Sequence, residues 1–139
     1  MNTKDVGDTS EALVLAELTR RGYSVAVPFG DNDRYGLLVD ADASLYRVQV
    51  KTGWREGDCI RFKTGSQTTA DGEATVEEYT DTEIDAFAVR CRDSGGLFWV
   101  PLEAAGRKST YLRVEDAAID HPRVSYAEEY AFENALPPR

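Results

Sequence analysis

Within residues 45 to 52 the chain alternates strictly from 46 to 51, with Tyr46, Val48 and Val50 on one side and Arg47, Gln49 and Lys51 on the other. A period of two sends successive side chains to opposite faces of a strand, so one face of this segment belongs in a core and the other carries polar chemistry. Residues 41–44, Ala-Asp-Ala-Ser, have turn composition, and residues 35–40 form a second apolar run, so the two runs predict a hairpin. Ahead of them the spacing predicts a helix over 9–21, with Asp8 and Glu11 as a capping pair and Gly22 as its stop. A short strand over 23–27 ends at Pro28, and 29–34 is a polar loop. Downstream, 53–58 is expected as a loop, 59–63 as a strand, and 65–83, which has no basic residue, as a long acidic surface excursion. Strands over 84–90 and 97–100, a helical turn over 101–105 and an edge strand over 110–114 follow. Beyond 116 a polar tail carries Tyr126, Tyr130 and Phe132, which are expected to dock it onto the body. One helix followed by hairpin-connected strands predicts an α/β (α+β) fold with a mixed sheet, in a single domain over 1–139 with its core at about 5–115.

Composition narrows the class. The chain has 139 residues, 42% of them hydrophobic, and a formal net charge of −9, which excludes a disordered tail and leaves enough chain for a core without disulfides. No apolar run is long enough for a membrane span, and the first residues lead into no secretory signal, so a cytoplasmic protein with no membrane partner is expected. Two cysteines, Cys59 and Cys91, and one histidine, His121, are too few for a zinc site. Only Lys4, Lys51, Lys63 and Lys108 among the sixteen basic residues are lysine. Few lysines and a strongly acidic surface are the composition of a protein kept soluble in concentrated salt, which points to a halophilic host. At molar salt the Debye length is only about 3 Å, so the charge local to a site outweighs the net charge.

Sequence signatures of common catalysts are missing: there is no GxSxG, GxxxxGK[ST] or HExxH, and His121 lies between Asp120 and Pro122 in the tail. Gln49-Val50-Lys51 remains, with Glu11 on the preceding helix. An oxygen ligand and an ammonium on one strand face can hold a hydrated divalent cation and offset the charge of a phosphodiester under attack. The same triplet also fits an ordinary solvated strand face. From Arg47 to Lys63 there are five basic residues, Arg47, Lys51, Arg55, Arg61 and Lys63, against two acids, Glu56 and Asp58. Such a cluster, extended by Arg34, suits DNA phosphates; ion pairing with the acidic excursion is the competing use.

Several blocks carry a family resemblance: Gly7-Asp8-Thr9-Ser10-Glu11, Val27-Pro28-Phe29-Gly30-Asp31-Asn32-Asp33-Arg34-Tyr35, Leu45 to Thr52, Tyr79-Thr80-Asp81 with Glu83 to Val89, and Leu97 to Pro101. Over residues 5–115 the chain resembles the PD-(D/E)XK nuclease superfamily, in particular its group I intron-associated (homing-type) endonucleases and their archaeal relatives, whose core is similar to Holliday junction resolvases. The resemblance implies a restriction-endonuclease-like core, a Mg²⁺- or Mn²⁺-dependent DNA endonuclease, and Glu11, Gln49 and Lys51 as catalytic residues, Glu11 and Gln49 also holding metal. It fails at one position: where that branch has a metal-binding Asp in Arg-Tyr-Asp-Leu, this chain reads Arg34-Tyr35-Gly36-Leu37. Asp40 is roughly 13 Å further along the strand, too far to replace it. Asp33, in the polar loop, is the candidate substitute.

Two functional classes follow. One is a divalent-metal-dependent endonuclease on double-stranded or branched DNA, or an impaired descendant; cutting both strands calls for a homodimer or homotetramer. The other is a non-catalytic DNA-binding or assembly protein that keeps the nuclease fold, and a junction resolvase shares the chemistry of the first.

Overall fold

The computed structural model describes residues 2–30, 32–115 and 124–139, with the side chains at 66–70, 74 and 76 left aside. His121 lies outside the described residues. Helix α1 spans Thr3–Arg20, six residues longer at its start than expected. Its cap is Asn2, whose side chain accepts from the Asp5 backbone N–H at 2.9 Å, so the Asp8/Glu11 pair lies inside the helix. Gly22 ends it as expected, with φ +93°. Ser10, Val14 and Leu18, four apart, form its buried stripe.

Strands β1 (Ser24–Ala26), β2 (Leu37–Ala41) and β3 (Ser44–Glu56) form an antiparallel meander. β3 is the hub. Its middle pairs in parallel with β7 (Ala86–Cys91), and β7 pairs antiparallel with β8 (Leu97–Pro101). Its last residues pair with β4 (Cys59–Lys63), which pairs with the edge strand β9 (Ser109–Arg113). The sheet is therefore mixed, as expected. The loop expected at 53–58 is instead strand as far as Glu56, closed by a tight turn at Gly57 with φ +60°. Gly53 allows this: a Cβ there would lie 3.0 Å from the Arg61 carbonyl and 3.1 Å from Val89, so only glycine lets β4 close onto β3 and β7.

The acidic excursion is also structured. β5 (Gly65–Ala70) and β6 (Glu73–Glu78) form a separate two-stranded hairpin, turned by Asp71 and Gly72 at φ +53° and +80°. Both faces of the sheet centre are covered, because β7 gives Ala86 and Ala88 to one cluster and Phe87 and Val89 to the other. The first cluster gathers Val14, Leu18, Val48 and Trp99 under α1; the second gathers Phe62, Val100 and Leu112. A 3₁₀ turn, Leu102–Ala104, follows β8. Two short helices, α2 (Ala127–Tyr130) and α3 (Phe132–Ala135), lie against β8; Phe132 is buried, and the Tyr23 hydroxyl donates to the Pro137 carbonyl. No described helix is long and apolar enough to cross a membrane.

Phe87 is fully buried, with its ring edge-on to Phe62 and Tyr79, whereas Leu13 is 46% exposed. Phe87→Ala is expected to cost about 3–5 kcal/mol in urea unfolding and Leu13→Ala under about 1 kcal/mol. Equal losses would contradict this assignment of the core.

Candidate active site

Glu11 reaches the sheet because of its neighbour. Ser10 is fully buried, its Oγ lies 2.6 Å from Thr52 Oγ1 on β3, and Arg90 Nε on β7 donates to it at 2.9 Å. These bonds fix the helix against β3 and β7 and satisfy each buried polar atom. The next residue, Glu11, then projects over the start of β2, where the Gly36 N–H donates to the Val48 carbonyl at 2.9 Å.

Position 36 is the centre of the site. A Cβ at Gly36 would lie 3.0 Å from Glu11 Oε2 and 3.5 Å from Gln49 Oε1. Any side chain placed there is aimed between the helix carboxylate and the strand amide. Glu11, Gly36 and Gln49 line a cleft of about 230 Å³, and Asp33, Tyr35 and Pro28 complete its wall. Burial, and then the Asp8 charge one turn away, pushes the Glu11 carboxyl above its usual pKa of 4.5. Asp40 is exposed in the β1–β2–β3 ladder, paired with Ser24 and Leu45, and does not line the cleft.

Lys51 lies in an adjoining groove of about 480 Å³, with Trp54, Lys63 and the N-terminal turns of α1. Its ammonium stands 4.9 Å from the centre of the Tyr79 ring. All four expected DNA-binding arginines are engaged with acids. Arg47 donates to both oxygens of Asp85, at 3.2 and 3.0 Å, and to the carbonyls of Asp81 and Thr82. Burial alone would raise the Asp85 pKa, but its hydrogen bonds from Arg47 bring it below the usual value. Arg34 pairs with Glu83 at 3.1 Å, Arg55 with Glu115 at 3.3 Å, and Arg61 with Glu56 at 3.2 Å. Arg61 also lies over Trp54 and Tyr111. Lys63 and Lys51 carry no ion pair among the described residues.

The structure thus gathers Glu11 and Gln49 around position 36, sets Asp33 on the same cleft, and puts Lys51 in the next groove. Sequence reasoning missed Ser10, Thr52, Arg90 and Tyr79. For the turn holding Tyr79 a signal existed, since Thr80-x-x-Glu83 is a capping pattern, and the Thr80 N–H does donate to Glu83 Oε1 at 3.0 Å.

A family model described as PD-(D/E)XK endonuclease matches residues 1–133. The chain belongs to that family. The solved structure of a bacterial homing endonuclease, I-Ssp6803I, shares its fold, with a TM-score of 0.79 and 20% sequence identity over 96% of this chain and 90% of that one. No curated protein sequence matches. PD-(D/E)XK nucleases use divalent metals, and measured against that need this site is one ligand short. Among the described residues no cluster of three or more His, Cys, Asp or Glu is placed to hold a metal ion. Hard cations such as Mg²⁺ favour carboxylates in a fixed octahedron, and around position 36 itself one carboxylate, Glu11, faces one amide oxygen, Gln49. Among the described residues, those around position 36 do not fit a resident ion.

Because the Glu11 carboxyl is raised in the folded state, the native chain binds its proton more tightly than the unfolded chain does. The stability it contributes is present below pH 4.5 and is lost as pH rises through the folded value. Glu11→Gln is therefore expected to raise the urea midpoint at pH 7, with the advantage vanishing near pH 4. A Glu11→Gln chain less stable than its parent at pH 7 would contradict the desolvated carboxyl.

Proposed function

We propose that this member of the PD-(D/E)XK endonuclease family binds double-stranded or branched DNA and that its phosphodiester hydrolysis is strongly impaired at Gly36. The observation that carries the reading is the direction of the Gly36 Cα–Cβ bond, which aims at Glu11 Oε2 and Gln49 Oε1 from within 3.5 Å. A carboxylate is missing at a backbone position aimed at both donors. Gly36→Asp would supply it, and the close neighbour is the end of a flexible glutamate that can yield a few tenths of an ångström. Mg²⁺ or Mn²⁺ held there would offset charge on the scissile phosphate; Lys51 would orient the attacking water and the phosphate beside it. The groove lined by Lys51, Trp54 and Lys63 supports DNA binding, since neither lysine carries a carboxylate partner among the described residues. A two-strand cut calls for two sites, so a homodimer or homotetramer belongs to this reading.

A second reading has Asp33 supplying the carboxylate, because it lines the same cleft as Glu11, Gly36 and Gln49.

Supercoiled and four-way-junction DNA incubated with Mg²⁺ or Mn²⁺ in high salt separates the readings. Gly36→Asp is expected to cut at least about a hundredfold faster than the native chain, equivalent to about 3 kcal/mol, and adding Lys51→Ala is expected to abolish the gain. Cutting by the native chain that disappears in Asp33→Ala supports the second reading. No DNA binding by either version overturns both.

A further inference from the structure

In the DNA-binding reading above Lys51 is the ammonium that meets phosphate, and none of the ion pairs that hold the arginines reaches it. What it does touch is Tyr79. Its Nζ lies 4.9 Å from the ring centre, and the Arg34 guanidinium carbon lies 3.9 Å from the same centre. The ring is only 9% exposed and meets Phe87 edge-on at 5.3 Å and 90°. Arg34 is itself tied to Glu83 at 3.1 Å and to the Glu78 carbonyl at 3.2 Å, so the guanidinium on the ring is anchored to the turn that carries Tyr79.

An aromatic ring attracts a cation through its quadrupole and takes no proton from it. It therefore holds an ammonium in place without neutralising it, as a carboxylate would, and leaves its N–H donors to a phosphate oxygen or a water. Tyr79 lies between the β5–β6 hairpin and β7, twenty-eight residues after Lys51, and no local spacing joins the two.

We propose that Tyr79 is the positioning residue of Lys51: its ring, clamped by Phe87 and by the Arg34–Glu83 pair, holds the ammonium toward a DNA phosphate. This rests on the DNA-binding reading above. Tyr79 touches no substrate; it acts through Lys51. Arg34 accordingly braces the ring, a use distinct from the direct phosphate contact expected of it.

The test is a double-mutant cycle on DNA affinity, measured by fluorescence anisotropy with a labelled mixed-sequence duplex over a range of salt concentrations. Tyr79→Leu is expected to weaken binding about fivefold, equivalent to about 1 kcal/mol, and to lower the salt slope by about 0.9, the value of one lost phosphate contact. Lys51→Ala is expected to do the same or more. The two together are expected to cost no more than Lys51→Ala alone, because the ring acts only through the lysine. Tyr79→Phe keeps the ring and is expected to restore most of the loss, whereas a Tyr79→Leu chain weakened by misfolding alone would add its loss to that of Lys51→Ala. Fully additive losses, or an unchanged salt slope in Tyr79→Leu, overturn the proposal. The upfield ring-current shift of the Lys51 ε-protons, read by NMR without DNA, decides the contact itself: it is expected in the native chain and in Tyr79→Phe and absent in Tyr79→Leu. Absence of that shift in the native chain overturns the proposal on its own. If the native chain shows the shift but binds no DNA, the functional reading fails while the contact stands, and Tyr79 then has no role toward phosphate.

Discussion

The hydroxyl of Ser10, 2.6 Å from Thr52 and receiving a hydrogen bond from Arg90, sets where everything else in the site can be. It lies in a fully buried stripe with Val14 and Leu18, so α1 has one rotational setting on the sheet, and a slip would bury an unpaired hydroxyl. In that setting the following residue, Glu11, leaves the stripe and meets the start of β2. Gln49 and Lys51 come from β3, the strand that pairs with β2, β7 and β4. A helix and one central strand therefore deliver all three side chains that the family resemblance points to, and the register between them rests on a few polar bonds within an otherwise apolar contact.

The charge of the chain has a related logic. Arginines that a one-dimensional count assigns to DNA are spent inside the fold: Arg47 ties β3 to the turn before β7 through Asp85, and Arg34 holds the turn at Tyr79 through Glu83. Burial of those carboxylates opposes their ionisation, and hydrogen bonds more than offset it, from Arg47 at Asp85 and from Thr80 and then Arg34 at Glu83, so both carboxyls sit below their usual values. Of the five basic residues from Arg47 to Lys63, the lysines at 51 and 63 have no carboxylate beside them among the described residues. In a protein of net charge −9 these two lysines give the groove a local positive charge.

How much of this was legible follows the range of each interaction. The alternation at residues 45–52 and the stop at Gly22 are local patterns, and β3 and the end of α1 follow them. Residues 53–56 look like a loop because Gly-Trp-Arg-Glu has no apolar alternation; the strand persists because Gly53 admits Arg61 and Val89 within about 3 Å, which only the fold reveals. The hairpin over 65–78 had a readable turn in Asp71-Gly72, but its first strand is polar and shows no buried face to the eye. The cap at Asn2 was overlooked for a more familiar pair further on. Glu11, Gln49 and the gap at Gly36 came from a family resemblance over spaced blocks, and the geometry now puts the three around one point. The partners of Lys51, Arg34 and Arg47 lie twenty-eight to forty-nine residues away, and no period in the chain announces them.

The central claim is that a divalent ion lacks one carboxylate, at position 36. Titration of Mn²⁺ into the native chain and into Gly36→Asp, followed by isothermal calorimetry without DNA, addresses it directly. The account predicts one saturable Mn²⁺ site per chain in Gly36→Asp, lost again on adding Glu11→Gln, and none of comparable affinity in the native chain. An equally tight site in the native chain, unchanged by Gly36→Asp, would contradict it.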